Sequence, residues 1–227
     1  MLADRLALHH HFSHTTRSIL SLQFRGPRVI AEIRNSNADV LCLQEVDRVT
    51  DFYEPMLNAL GYSLVHYGRP GLFRGEGIAL AYKPETFKIL EKETIDFDDL
   101  KNIYQNGSVF SNGNQALLCL FQHRESGRCF IGGSAHLHFN PKLDFIKHAQ
   151  AIYLLERSAA FLRKHSNLNT LKLHEQVLPF FLGGDFNSTP ISSVMSVIHH
   201  EEIDHSDKVL AGMHAPTWQI PDDPHHK

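Results

Sequence analysis

The chain of 227 residues is 42% hydrophobic and 21% charged, which fits one large domain with a buried core and excludes a disordered or low-complexity chain. A formal charge of −3 excludes a whole-molecule positive field, so any nucleic-acid partner must be met by a local site. No apolar run reaches the roughly 18 residues needed to span a bilayer, and Cys42, Cys119 and Cys129 have no metal-type spacing.

The first 25 residues hold Arg5, Arg17 and Arg25, one acid (Asp4) and several Ser, Thr and His, a weakly transit-peptide-like mixture. Gly26-Pro27 followed by Val29, Ile30 and Ile33 predicts a helix with proline in its first turn, ended by Asn35-Ser36-Asn37. Ala38 to Leu43 is a continuous apolar strand, read as buried on both faces, which delivers Gln44-Glu45-Val46 at its end. Asp51 is placed to cap a second helix running to Leu60 and stopping at Gly61. Tyr62–Tyr67 and Gly77–Tyr82 read as strands around a glycine-rich loop, Gly68 to Gly77, that carries Arg69, Arg74 and Glu76. That loop is either a flexible turn or a wall of a cleft, in which Arg69 and Arg74 would meet phosphates of a substrate.

Phe87 to Leu90 has an ambiguous period, and residues 96–114 read as a polar surface loop. Gln115–Phe121 and Arg128–Ser134 flank Glu125-Ser126-Gly127 as a hairpin, with the second strand continuing through Ala135-His136-Leu137-His138-Phe139 until Asn140-Pro141. Phe145, Ala149, Ile152, Leu155, Ala159 and Leu162 recur at helical spacing, with Lys147, Glu156 and Arg157 outside that stripe. A polar loop, His165 to Glu175, precedes a strand Val177–Leu182 and the run Gly183-Gly184-Asp185-Phe186-Asn187-Ser188-Thr189-Pro190, after which Thr189-Pro190 starts a short helix. From His200 onward the pattern dissolves. Cys42 and Cys119 read as buried thiols of a reducing compartment. The clusters His9-His10-His11, His199-His200 and His225-His226 lack zinc spacing with a third ligand and read as surface histidines. Alternating strands and helices with one hairpin predict an α/β domain with mixed sheets spanning residues 1–227.

Three predicted strands end in polar residues: Gln44-Glu45, His136-Leu137-His138 and Asp185-Phe186-Asn187. Residues two apart on an extended chain point the same way, so Asp185 and Asn187 face one pocket and Phe186 the core. At one sheet edge the three ends combine a hard carboxylate suited to Mg2+ (Glu45), an imidazole (His136), an acid to orient or deprotonate water (Asp185) and an oxyanion donor (Asn187). Metal-assisted phosphodiester hydrolysis follows as a reaction class. Each element also has a plain structural reading as a solvated strand end, a core histidine or a turn and cap.

Leu43-Gln44-Glu45-Val46, then His136-Leu137, then Gly184-Asp185-Phe186-Asn187 resembles the endonuclease/exonuclease/phosphatase superfamily, and most of all the 2′,5′-phosphodiesterase branch of its deadenylase-like group. Further stretches carry the closer likeness: Ala38 to Arg48, Glu76-Gly77-Ile78-Ala79, His136 to Pro141 and Gly183 to Pro190. The resemblance implies a two-sheet mixed α/β sandwich with outer helices and a magnesium site at one edge. It implies Glu45 as metal ligand to Mg2+ (or Mn2+), His136 as a catalytic phosphate-contacting histidine, Asp185 as the water-positioning acid and Asn187 as phosphate support. It also implies hydrolysis of 2′-5′ oligoadenylate or of 3′ poly(A) tails with release of AMP, RNA 3′ ends as partners, no membrane, and the mitochondrial matrix or cytoplasm as compartment. Such proteins open on a strand carrying a metal-site asparagine and close on an Asp-His pair. Met1-Leu2-Ala3-Asp4 resembles the residues just after that asparagine, so the chain is expected to start inside the first strand and to stop before the pair, for which Asp204-His205 comes too early. The expected fold is thus incomplete at both ends, and the alternatives are a plain poly(A) deadenylase and a catalytically impaired fragment or nucleotide-binding relic.

Overall fold

The computed structural model describes residues 2–8, 10–69, 75–104, 107–165 and 178–199. Two sheets face each other between helices. The first contains β1 (Val40–Val46), β2 (Ser63–Gly68) and β3 (Gly77–Tyr82) in the order β1-β3-β2, all antiparallel. The second contains β4 (Phe87–Asp96), β5 (Gln115–His123), β6 (Cys129–His136) and β7 (Phe180–Asp185) in that order. The β4-β5-β6 meander is antiparallel, and β7 joins β6 in parallel.

The central strands read as unbroken apolar runs because both of their faces are covered. On β3, Ile78 and Leu80 pack between the sheets with Leu117, Cys119 and Phe121 of β5, while Ala79 and Ala81 turn outward. That outer face is covered by Ile30 and Ile33 of α2 (Leu22–Ser36) and Leu57 of α3 (Glu54–Ala59). On the far side, Leu118, Leu120, Ile131 and Ala135 meet Ala149, Leu154 and Phe161 of α4 (Asp144–His165). The order is helix, sheet, sheet, helix. Two further short helices are α1 (Arg17–Leu20) and α5 (Ser193–His199).

Several expectations are corrected. Helix α2 starts before Gly26-Pro27, and Pro27 lies inside it. Gly26 is a packing residue rather than a breaker, since a Cβ there would lie 2.4 Å from the Phe52 ring. Asn37, at φ 45°, ends α2 as a left-handed cap, where the sequence places the stop. Asp51 caps nothing: it sits in a wide helical turn, Val49–Tyr53, and pairs with Arg48 at 2.6 Å. Leu2 to Asp4 form no strand; a 3-10 turn runs from Asp4 to Leu6. Strand β1 packs Leu43 and Val46 toward the helices and Cys42 toward the second sheet, but it is half-buried along much of its length because it pairs only with β3 among the described residues. The ambiguous run after Phe87 is the start of a ten-residue strand with alternating burial. The stretch read as a polar loop at 96–114 buries Phe97, Leu100 and Phe110 in the core. Strand β6 ends at His136 rather than Phe139. Among the described residues no helix is long and apolar enough to cross a membrane.

Candidate active site

Glu45 owes its placement to a β-bulge. Along the β1–β3 ladder Gln44 pairs with Ile78 and Val46 with Gly77, so Glu45 is the extra residue, held at φ 56°. A left-handed glutamate is uncommon and costs on the order of 1–3 kcal/mol, a strain of the kind found where a side chain must be re-aimed. Gly77, which faces the bulge from β3, is crowded on its other side by β2: a Cβ there would stand 2.2 Å from the Tyr67 carbonyl and 2.7 Å from His66 Nε2. The Glu45 carboxylate accepts the Ala3 N–H on Oε2 at 2.9 Å. Burial pushes its acidity down, with its pKa raised further by the Glu76 and Asp185 carboxylates against the relief from the Ala3 N–H. Asp47, two residues on, is buried, accepts the Asp4 N–H, and is likewise raised by burial.

His136 closes β6, cross-registered with Gln115 on one side and Asp185 on the other. The parallel β6-α4-β7 crossover thus sets the imidazole beside the acid at one sheet edge. The two sheets are tied at the same end by Gln44 Nε2 donating to Ser134 Oγ at 3.0 Å and by Ser134 Oγ donating to the Leu43 carbonyl at 3.3 Å. His136 is 6% exposed, and burial, aided by the Arg69 charge, lowers its pKa to about 4 against a smaller opposing pull from Asp185. His138 is also lowered to about 4, by burial and then by the Lys147 ammonium.

Beyond β7 the chain turns sharply. The Asn187 N–H donates to Asp185 Oδ1 at 2.9 Å, the Asn187 amide Nδ2 donates to the Leu137 carbonyl at 2.9 Å, and the Leu137 N–H donates to the Asp185 carbonyl at 2.9 Å. Asn187 lies at φ 49°. Asparagine tolerates this region better than most residues because its short amide bonds locally. Phe186 packs against the core as expected, but strand alternation stops at Asp185: Asn187 is reached through the turn, and its amide goes to the Leu137 carbonyl. Lys147, assigned by the helical stripe to the outside of α4, is instead buried: its Nζ donates to the Asn187 carbonyl at 3.0 Å and pairs with Asp144 at 3.1 Å.

Arg69 is 13% exposed and lies between Glu76, at 3.1 Å, and His136 Nδ1, at 3.4 Å. Arg74 lies outside the described residues, as do the His9, His200 and His225-His226 members of the histidine clusters and Asp204-His205; His10, His11 and His199 are exposed. Glu76, Asp47 and Lys147 are the site-side residues to which sequence reasoning gave no role. Lys147 carried one legible signal, a cation in the first turn of a helix where the macrodipole disfavours it.

Among the described residues no group of three or more His, Cys, Asp or Glu side chains is placed to hold a metal ion. Mg2+ needs less, one or two carboxylates with waters and substrate phosphate completing the shell. The donors fit it: Glu45 offers a hard carboxylate oxygen, and the Asp185 carboxylate adds like charge that a cation would offset. A cavity of about 500 Å³ lies elsewhere, lined by Asp4, Ala7, Leu8, His10, Arg17, Leu20 and Ser21 of the N-terminal segment.

The chain belongs to the Endonuclease/Exonuclease/phosphatase family, whose pattern matches residues 19–226. Within that family its relatives are deadenylase-like. It is 26% identical to the CCR4-Not complex 3′-5′-exoribonuclease subunit Ccr4 of Neurospora crassa over 247 residues, covering 87% of this chain and 31% of the relative. It is 29% identical to carbon catabolite repressor protein 4 homolog 4 of Arabidopsis thaliana, covering 82% of this chain and 50% of that one. Among solved structures, ANGEL2, described as a 2′,3′-cyclic phosphatase, superposes with a TM-score of 0.70 at 29% identity, covering 87% of this chain and 54% of that one. The human Nocturnin catalytic domain shares the fold at a TM-score of 0.66 and 22% identity, covering 85% of this chain and 65% of that one. The chain therefore spans about a third to a half of the length of these curated relatives.

Proposed function

We propose that the chain hydrolyses RNA phosphodiester bonds with a divalent cation, Mg2+ or Mn2+, acting on 2′-5′ oligoadenylate or 3′ poly(A) ends and releasing AMP. The observation that carries this reading is the register of His136 with Asp185 across β6 and β7, at the same end of the sandwich as Glu45 on its bulge. Glu45 would hold the cation, which supplies Lewis-acid stabilisation of charge on phosphoryl oxygens when bound. His136, neutral at physiological pH, offers a hydrogen bond to a phosphoryl oxygen without adding a charge. Asp185 orients the attacking water and takes its proton, while Asn187 holds the loop that aims it. Lys147 and Leu137 keep that loop fixed from behind. The names of the Ccr4 relatives support a 3′-5′ exoribonuclease, and the ANGEL2 likeness supports a second reading, opening of a 2′,3′-cyclic phosphate at an RNA end.

The test is to incubate the purified chain with Mg2+ and, in parallel, 2′-5′ oligoadenylate, 3′-5′ oligoadenylate and a 2′,3′-cyclic phosphate-ended RNA. AMP release from either oligoadenylate, lost in Asp185→Ala, is expected. Ring opening of the cyclic phosphate without AMP would favour the second reading. Turnover of none of the three would favour the catalytically impaired fragment.

A further inference from the structure

The side chains behind His136 form a chain of charges that the hydrolytic scheme does not use. Glu76 is 3% exposed, and its Oε1 accepts from two guanidiniums, Arg5 Nη2 at 3.0 Å and Arg69 Nη1 at 3.1 Å. The other amine of Arg69, Nη2, reaches His136 Nδ1 at 3.4 Å. The backbone beneath is pinned as well. The Arg69 N–H donates to the Glu76 carbonyl at 2.9 Å, extending the β2–β3 ladder, and Gln115, the residue opposite His136 on β5, donates from Nε2 to the Gly68 carbonyl at 3.0 Å.

A guanidinium has only donors and stays protonated in proteins, so an imidazole nitrogen facing it must accept. Nδ1 of His136 therefore keeps its lone pair, and the single proton of the neutral ring resides on Nε2. We propose that Arg69 is a positioning residue that fixes His136 as the Nε2–H tautomer, with Glu76, shared with Arg5, holding the guanidinium against the ring. Two guanidiniums and one carboxylate leave one net positive charge beside the imidazole, which also opposes a second proton on it.

The chemical consequence, which rests on the proposed hydrolysis, is a division of labour. His136 donates from Nε2 to a phosphoryl oxygen and cannot take a proton there, so deprotonation of the water falls to Asp185. With the opposite tautomer, Nε2 would present a lone pair to an anionic oxygen and repel it. A carboxylate in the place of Arg69 would impose that wrong tautomer, because it can only accept and would draw the proton to Nδ1.

The test reads the tautomer directly. The full chain is labelled with 15N-histidine, and long-range proton–nitrogen correlation spectra distinguish the protonated from the bare ring nitrogen. The His136 signals are assigned by their loss in His136→Gln. The expected result is protonated Nε2 and bare Nδ1 in the native chain, and a mixture of tautomers in Arg69→Met. A proton on Nδ1 in the native chain would overturn the proposal, as would the same single tautomer in Arg69→Met. Should Arg69→Met fail to fold, Glu76→Gln serves: it keeps the shape but weakens the hold on Arg69, and an unchanged single tautomer there removes Glu76 from the proposal. Neither spectrum needs substrate or metal, so a failed turnover assay and a failed tautomer assignment are separate results.

Discussion

Replacing Lys147 with methionine isolates the strut behind the Asp185–Asn187 turn. Methionine keeps the length and the apolar stem but donates no hydrogen bond to the Asn187 carbonyl, which the ammonium meets at 3.0 Å. A hydrogen bond to a charged group contributes about 1.5–3 kcal/mol to stability. Two effects offset part of the loss. A cation in the first turn of α4 opposes the helix dipole, and its removal returns about 0.3–1 kcal/mol. The ion-pair partner Asp144 is 49% exposed, so freeing it costs little. The net expectation is a loss of about 1–2 kcal/mol, read as a lower urea midpoint at unchanged m-value. Asn187 at φ 49° keeps its two remaining tethers, so the turn persists but aims Asp185 less well, and kcat for AMP release should fall more than KM rises. Lys147→Arg, which retains a donor, should recover most of both. Stability within about 0.5 kcal/mol of the native chain and an unchanged kcat in Lys147→Met would show that the strut carries neither load.

Acidification should destabilise the chain between pH 6.5 and about 4. The unfolded imidazoles of His136 and His138 take protons near 6.5 while the native ones wait until about 4, a difference on the order of 3 kcal/mol per histidine. Urea midpoints across that window should fall less steeply in His138→Gln; an unchanged slope would place the titrating groups elsewhere. Gly77→Ala should cost about 1–3 kcal/mol, because the new methyl meets the Tyr67 backbone carbonyl rather than a movable side chain, and a thermal midpoint equal to that of the native chain would refute so close an approach of β2 to β3. Mg2+ at ten times its dissociation constant should stabilise the native chain by about 1.4 kcal/mol and leave Glu45→Gln unmoved, whereas equal shifts in both would place the cation away from Glu45.

What the sequence disclosed and what it hid divide along physical lines. The β5–β6 hairpin and α4 were legible because continuous apolar runs flank the Glu125-Ser126-Gly127 turn and because α4 carries a helical stripe after the Asn140-Pro141 break, whereas β7 runs to Asp185, past the Leu182 at which the apolar run ends. The convergence of Glu45, His136 and Asp185 followed from order and resemblance. Features set by two distant segments were not legible. No local rule places a left-handed glutamate inside a run as apolar as Val40–Val46; the bulge is a matter of register against β3, where Gln44 meets Ile78 and Val46 meets Gly77 with Glu45 left over. Periodicity placed Lys147 outside because a helical stripe reports only the face toward the sheet, while the first turn of α4 also meets the loop after β7.

Arg69 makes the same point in electrostatic terms. As one residue in a glycine-rich loop it reads as a cation available to a phosphate. In the fold its guanidinium already engages Glu76 and leans on His136, and Glu76 is shared in turn with Arg5, 71 positions earlier in the chain. The net charge that remains belongs to the group rather than to either arginine. Under the proposed hydrolysis its effect on a phosphate would be exerted through the imidazole it orients, which would make the proton position on His136, rather than the presence of a basic side chain, the quantity that decides how this site treats an anion.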